Sequence, residues 1–84
     1  MDNQKLNTER LIKSLRENEE VKKLNIYEGN RALWDHYFSI KGYLNNLFFY
    51  IVIYSNDLEE QVIITNSTDC KEEIEKILIK FNLV

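Results

Sequence analysis

The strongest structural signal in this sequence is an unbroken apolar run, Leu47–Tyr54, that reads LFFYIVIY. Aromatic and β-branched side chains make up most of the run, and these residue types favour strands. Eight residues are too few to cross a membrane as a helix but suit a strand in the middle of a sheet. We therefore predict a central β-strand here, to which the rest of the chain adds neighbouring strands and a cover.

Two further strands are predicted beside this run. From residue 34 the pattern alternates, and one face of that strand carries Trp34, His36, Phe38 and Ile40. The opposite face carries Asp35, Tyr37, Ser39 and Lys41. A third strand is predicted at Gln61–Thr65, with turns at Gly42–Asn46 and Asn56–Glu60.

The N-terminal third of the chain is predicted to contain a helix, followed by a segment that two patterns fit. Asn7 or Thr8 can cap a helix that runs to about Asn18. Residues 21–27 either extend this helix or form a short edge strand. Residues 28–30, with the sequence Glu-Gly-Asn, indicate a turn.

The C-terminal segment is predicted to form a second helix. Asp69 followed by Glu72 fits a capping box, and Ser67 or Thr68 is an alternative cap. One apolar stripe recurs at helical spacing and consists of Cys70, Ile74, Ile77, Leu78 and Phe81.

These elements predict one small α+β domain over residues 1–84. Their order is a helix, a three- to four-stranded antiparallel sheet with meander connections, and a second helix. Because the helices lie at the two ends of the chain, both can cover one face of the sheet. The other face then has no helix to cover it.

The central strand has two unlike faces, and only one is purely apolar. The set predicted to meet the helices is Leu47, Phe49, Ile51 and Ile53. The opposite set is Phe48, Tyr50, Val52 and Tyr54, joined by Tyr37 from the neighbouring strand. Since contiguous exposed apolar patches mark interaction sites and tyrosine is enriched at interfaces, we predict that this second face binds a partner. The alternatives are that residues 21–27 or the N-terminal arm cover it, or that a one-residue register shift swaps the faces.

Composition and charge restrict the function classes. Cys70 is the only cysteine, so the sequence predicts neither an intrachain disulfide nor a cysteine metal cluster and suits a reducing cytoplasm. Residues 1–10 contain no apolar signal-peptide core, and no run of about 18 apolar residues predicts a membrane helix. The net charge of −3 argues against nucleic acid as a partner, because phosphate binding depends on lysine and arginine.

Acidic residues concentrate in the second half of the chain and form a second predicted partner-binding surface. Residues 43–84 carry seven acidic and three basic side chains. Those predicted to contact a basic partner surface are Asp57, Glu59, Glu60, Glu72 and Glu73.

Residue patterns typical of catalysis are few. His36 is the only histidine, and its place beside Trp34 and Phe38 predicts a packed side chain rather than a catalytic base. Cys70 lies on an apolar stripe and is predicted to be a core thiol. No glycine-rich phosphate loop is present, since Gly29 and Gly42 are isolated. We predict no catalytic residues, no metal and no cofactor.

The order of elements is similar to that of double-stranded-RNA-binding domains, which carry a lysine cluster at the start of the last helix. The corresponding residues here, 68–73, read Thr-Asp-Cys-Lys-Glu-Glu and are acidic overall. Size and acidity resemble those of small inhibitors from phages and mobile elements, including some anti-CRISPR proteins. No motif assigns the chain to one family.

The sequence therefore predicts a cytoplasmic protein-binding module, of inhibitor or immunity type and encoded by a phage or mobile element. A nucleic-acid-processing enzyme is one candidate partner, and a second copy of the chain on the sheet face is another. The alternative function is nucleic-acid binding through the open aromatic face.

Overall fold

A computed structural model describes residues 3–31 and 34–84, with side chains for residues 4–30 and 34–84. Its elements in chain order are α1 (Asn3–Glu17), β1 (Val21–Arg31), β2 (Trp34–Leu44), β3 (Leu47–Ser55), β4 (Glu60–Ile64) and α2 (Lys71–Lys80). The strands form one antiparallel sheet in the order β1-β2-β3-β4. This confirms the predicted α+β class with its meander between two helices. Within the described residues, neither helix has the length and apolar content needed to cross a membrane.

The hairpin between β2 and β3 is tighter than predicted. Only Asn45 and Asn46 form the turn, both at positive φ (51° and 67°), as in the two-residue turns that match strand twist. Gly42 lies inside β2 opposite Phe49. A Cβ at Gly42 would lie only 3.1 Å from Cζ of Phe49, so the glycine makes room for that ring. The predicted turn at Gly42–Asn46 was therefore too long.

The ambiguous segment at residues 21–27 is an edge strand, and it runs on to Arg31. The turn predicted at residues 28–30 is wrong, because Glu28 and Gly29 pair with Phe38 and Tyr37 of β2. The connection from β1 to β2 includes residues 32–33, which lie outside the described part of the chain. At the other edge of the sheet, β4 begins one residue earlier than predicted.

The first helix begins earlier than its predicted caps. Asn7 and Thr8 both lie inside α1. The Thr8 hydroxyl is fully buried and donates to the Gln4 carbonyl at 2.7 Å, a bond within the helix rather than a cap. The predicted N-terminus was wrong because a threonine in a helix interior can satisfy its hydroxyl in this way.

The second helix also starts without the predicted capping box. Its N-cap position is Cys70, which makes no side-chain cap hydrogen bond. The amide of Asp69 instead donates to the Phe48 carbonyl at 2.8 Å. The alternative cap, Thr68, uses its hydroxyl on the backbone of Tyr50. Both residues therefore tie the start of α2 to β3.

Both helices cover the same face of the sheet, as predicted. Leu11 and Leu15 of α1 and Ile74 and Leu78 of α2 are buried. They share one core with the sheet residues Phe38, Ile40, Phe49, Ile51 and Ile53. Leu47 was also expected in this core but is 46% exposed, because it lies at the margin of the sheet directly after the hairpin turn.

Candidate functional site

The sheet face turned away from the helices carries most of the aromatic side chains, and we call it the open face. Four residues predicted to bind a partner lie on it, namely Tyr37, Phe48, Tyr50 and Tyr54. Tyr37 pairs directly with Tyr54, which confirms the expected register between the two strands. The remaining paired members are Lys22, Asn25, Tyr27, Gly29, Ser39, Lys41, Tyr43, Val52, Gln61 and Ile63.

No described element covers the open face. The segment at residues 21–27, one candidate cover, is part of the sheet, and α1, the other, packs on the opposite face. Tyr27 is 49% exposed, Ile63 39% and Tyr43 38%. Four strands at about 4.8 Å spacing and nine residues in length give this face an area of roughly 500 Å². Part of this footprint is polar, but its rings contact one another, as in surfaces that mark interaction sites.

At one end of the open face, aromatic side chains from three strands contact one another in series. The Tyr27 ring lies over Gly29 and meets the Tyr37 ring edge-on at 6.2 Å between centroids. Tyr37 stacks on Tyr54 at 6.1 Å, and Trp34 packs edge-on against Tyr54 at 4.3 Å. The rings thus hold one another in place across three strands.

Trp34 was predicted on the helix-covered face and is instead part of this aromatic chain. The β2–β3 ladder ends at His36, and the β1–β2 ladder is irregular between Gly29 and Arg31. Strict alternation of side chains holds only in a regular strand. The indole is therefore free to turn toward Tyr54, and sequence periodicity could not have shown this.

The other end of the open face combines rings with cations. Tyr43 and Phe48 meet edge-on at 5.6 Å, and the Lys23 ammonium lies 5.9 Å from the centre of the Tyr43 ring. The Lys41 ammonium lies 4.9 Å over the Tyr50 ring. Together with Lys22, which pairs with Tyr43, these lysines (Lys22, Lys23 and Lys41) form what we call the lysine end.

The five acidic residues predicted as one surface are not brought together. Asp57, Glu59 and Glu60 lie in or directly after the loop that follows β3. Glu72 and Glu73 lie in the first turn of α2, whose start is hydrogen-bonded to the beginning of β3. The two groups are therefore at opposite ends of a nine-residue strand, roughly 26 Å apart along it.

A groove of about 500 Å³ lies at the acidic end of the sheet. Its lining includes Asp35, His36, Asp57 and Glu59. The Glu59 carboxylate accepts a hydrogen bond from Nε2 of Gln61, a neighbour of Tyr54 on the open face, at 3.0 Å. Asp35 lies in the irregular part of β2, between Trp34 and His36, and lines the same groove.

The two residues with reactive side chains occupy different places. His36 is half-buried at the end of β2, opposite Ser55, and lines the groove. Cys70 is buried beneath the beginning of β3, where its thiol donates to the carbonyls of Leu47 and Phe48 at 3.7 and 3.8 Å. Among the described residues, no three histidine, cysteine or acidic side chains converge as metal ligands.

Burial raises the pKa of the Cys70 thiol, and the negative charges of Glu73 and Asp69 raise it further. The native thiol should therefore react with a maleimide at least about tenfold more slowly at pH 8 than the thiol of the urea-unfolded chain. Because the folded state favours the protonated thiol, its contribution to stability is complete below the thiol's ordinary pKa and is lost as pH rises through the folded value. Equal labelling rates in the two states would show that Cys70 is accessible.

Comparison with protein families, with curated proteins and with solved structures finds no match to this chain.

Proposed function

We propose that this protein is a binding module whose open face docks against another protein. The observation that carries this proposal is the placement of both helices on one side of a four-stranded sheet, which leaves an aromatic surface on the other. Contact area rich in tyrosine is typical of protein interfaces. The ring contacts also fix the side chains before binding, which reduces the entropy lost on association.

Nucleic-acid binding is the alternative, and one observation favours it: the paired, described residues of the open face include lysines and no carboxylate. Base stacking needs free ring faces. Here the ammonium groups of Lys41 and Lys23 lie over Tyr50 and Tyr43, and most of the other rings meet edge-on. The rings therefore suit a protein surface better than a row of bases.

Among protein-binding roles we propose that of an inhibitor or immunity-type protein, which acts by covering a working surface of its partner. Such a role needs no reactive group, and the buried thiol of Cys70, with its raised pKa, is a poor nucleophile. The cytoplasm is the proposed location, since its reducing conditions suit a free cysteine.

The proposal is tested by capture with a tagged chain from cells of the source organism, using wild type, Tyr50→Lys and Ile79→Lys. Tyr50 lies in the open face, whereas Ile79 is 54% exposed on α2, so the second variant makes the same charge change on an outer helix surface. The captured protein is then purified and titrated with each variant. Tyr50→Lys should weaken binding at least about tenfold, because a lysine enters the interface beside Lys41, and Ile79→Lys should leave it unchanged.

Two results would contradict this proposal. Equal affinities of all three chains would place binding elsewhere than the open face. Recovery of RNA or DNA, with an affinity that falls steeply as salt rises, would favour the alternative function. A loss of folded structure in Tyr50→Lys, visible by circular dichroism, would require the same comparison with Val52→Lys.

A further inference from the structure

The lysine end gives the open face a charge opposite to that of the whole chain. The chain has a net charge of −3, with 14 acidic and 11 basic side chains. Among the paired, described residues of the open face, the charged ones are Lys22 and Lys41, and none is a carboxylate. Lys23 adds a third ammonium group, since it lies over the Tyr43 ring. Positive charge is therefore concentrated at one end of this face on an otherwise acidic protein.

Protection of the sheet edge does not account for all three lysines. Lysine in an edge strand hinders pairing with another sheet, and β1, which carries Lys22 and Lys23, is an edge strand. Lys41, however, lies in β2, which has a strand on both sides. All three side chains are exposed, and no carboxylate of the described residues forms an ion pair with them. Their charge is therefore available to a partner.

Aromatic rings hold two of these ammonium groups in position. Nζ of Lys41 lies 4.9 Å from the centre of the Tyr50 ring, and Nζ of Lys23 lies 5.9 Å from the centre of the Tyr43 ring. An ammonium group has three N–H donors, and a ring occupies only one side of it. The other donors can bind a carboxylate, and a side chain that is already positioned loses less entropy when it does so.

We propose that the open face binds a short acidic segment of its partner protein, in which aspartate or glutamate side chains stand next to apolar ones. This inference rests on the proposed function and names the chemistry of the partner. The carboxylates of the segment bind the lysine end, and its apolar side chains cover the neighbouring rings and Val52. Because opposite charges across an interface fix its register, the acidic part of the segment lies at the Tyr43 end of the face.

The charges around the lysine end favour a protein segment over a nucleic-acid strand. Glu20 borders the lysine end, because its carbonyl accepts a hydrogen bond from the Asn45 amide of the hairpin turn at 3.0 Å. At the far end of the open face, the Glu59 carboxylate accepts a hydrogen bond from Gln61. A nucleic-acid strand carries a charge on every nucleotide and would meet these carboxylates. An acidic segment of a protein can confine its charge to the lysine end.

Selection from a random library of phage-displayed peptides of about 12 residues tests this proposal. The wild-type chain is the bait, and peptides that also bind Tyr50→Lys are removed, so that those retained depend on the open face. The retained peptides should combine apolar residues with several aspartates or glutamates. One of them is then synthesised and titrated against the wild-type chain by fluorescence anisotropy. Replacing its acidic residues by the corresponding amides should weaken binding at least about tenfold.

Charge reversal on the protein gives the matched comparison. Lys22→Glu combined with Lys41→Glu should weaken binding of the selected peptide at least about tenfold. Lys13→Glu combined with Lys76→Glu makes the same change of net charge at exposed positions of the two helices and should alter binding less than about threefold. A peptide whose acidic residues are replaced by lysine should bind the first variant more tightly than it binds the wild type. That result would also show that the first variant is folded.

Retained peptides without an excess of acidic residues, or equal affinities of the wild type and the variant with Lys22→Glu and Lys41→Glu, would overturn the acidic segment. The binding function of the open face would then stand, because those peptides depend on Tyr50. If no retained peptide depends on Tyr50, the acidic segment is refuted, and capture with the tagged chain decides the proposed function by itself. A single-stranded DNA of about 12 nucleotides that binds more tightly than the peptide would assign the lysine end to phosphate, and both proposals would fail.

Discussion

Replacing Phe49 by alanine should lower the free energy of unfolding by about 3–5 kcal/mol. Phe49 is fully buried in the middle strand, between Gly42 of β2 and the helices. The substitution removes apolar surface from the core and leaves a cavity that the rigid sheet cannot close. Urea denaturation followed by circular dichroism measures the loss. Ile51→Ala, also buried, should cost about 2–5 kcal/mol by the same mechanism.

The matched control is Phe48→Ala, the same substitution one residue earlier on the opposite face. Phe48 is half-buried on the open face, so its replacement should cost clearly less than that of Phe49. The two variants and the wild type are compared at one low protein concentration, because binding between copies would add to the stability of the chain. Equal losses at both positions would mean that the open face is as well covered as the core, and the proposed binding function would lose its basis.

The two faces of β3 were predictable from the sequence because a strand alternates its side chains with a period of two. Predicting that Phe49 and Ile51 are buried required only this rule and the long apolar stretch around them. The stripe of α2 was predictable for a similar reason, since Ile74 and Leu78 are one helical turn apart and both are buried. Local periodicity was therefore sufficient to predict which side chains of β3 and α2 lie in the core between the sheet and the helices.

The lysine end of the open face was not predictable, because it depends on pairings between distant residues. Lys22 comes next to Tyr43 only through the β1–β2 ladder, and that ladder contains an irregularity between Lys22 and Asn25. Residues 21–27 fit both helix and strand, so their charges could not be assigned to a face. The acids were grouped by their proximity in sequence, whereas β3 separates Glu59 from Glu72.

The predicted caps Thr8 and Thr68 do not mark the helix starts, because their hydroxyls form hydrogen bonds with other backbone groups. Thr68 follows β4, where the regular ladder to β3 has ended at the pair Ile51–Ile64. Its Oγ1 accepts from the Tyr50 amide at 3.0 Å and donates to the Tyr50 carbonyl at 3.1 Å. The Thr68 side chain thus takes the position of a further β4 residue and supplies hydrogen-bond partners to the amide and the carbonyl of Tyr50.

Thr68→Val should therefore cost about 1–3 kcal/mol, even though valine has nearly the same shape as threonine. The amide of Tyr50 loses its acceptor, whereas its carbonyl keeps a hydrogen bond from the Thr65 amide at 3.0 Å. Thr68→Ser is the control, because it retains the oxygen and should cost less than about 1 kcal/mol. Hydrogen exchange gives a second measurement: the Tyr50 amide should lose protection in the valine variant and keep it in the serine variant. Equal stability and equal protection in the two variants would show that the hydrogen bonds of the Thr68 hydroxyl to the Tyr50 backbone do not stabilise the fold.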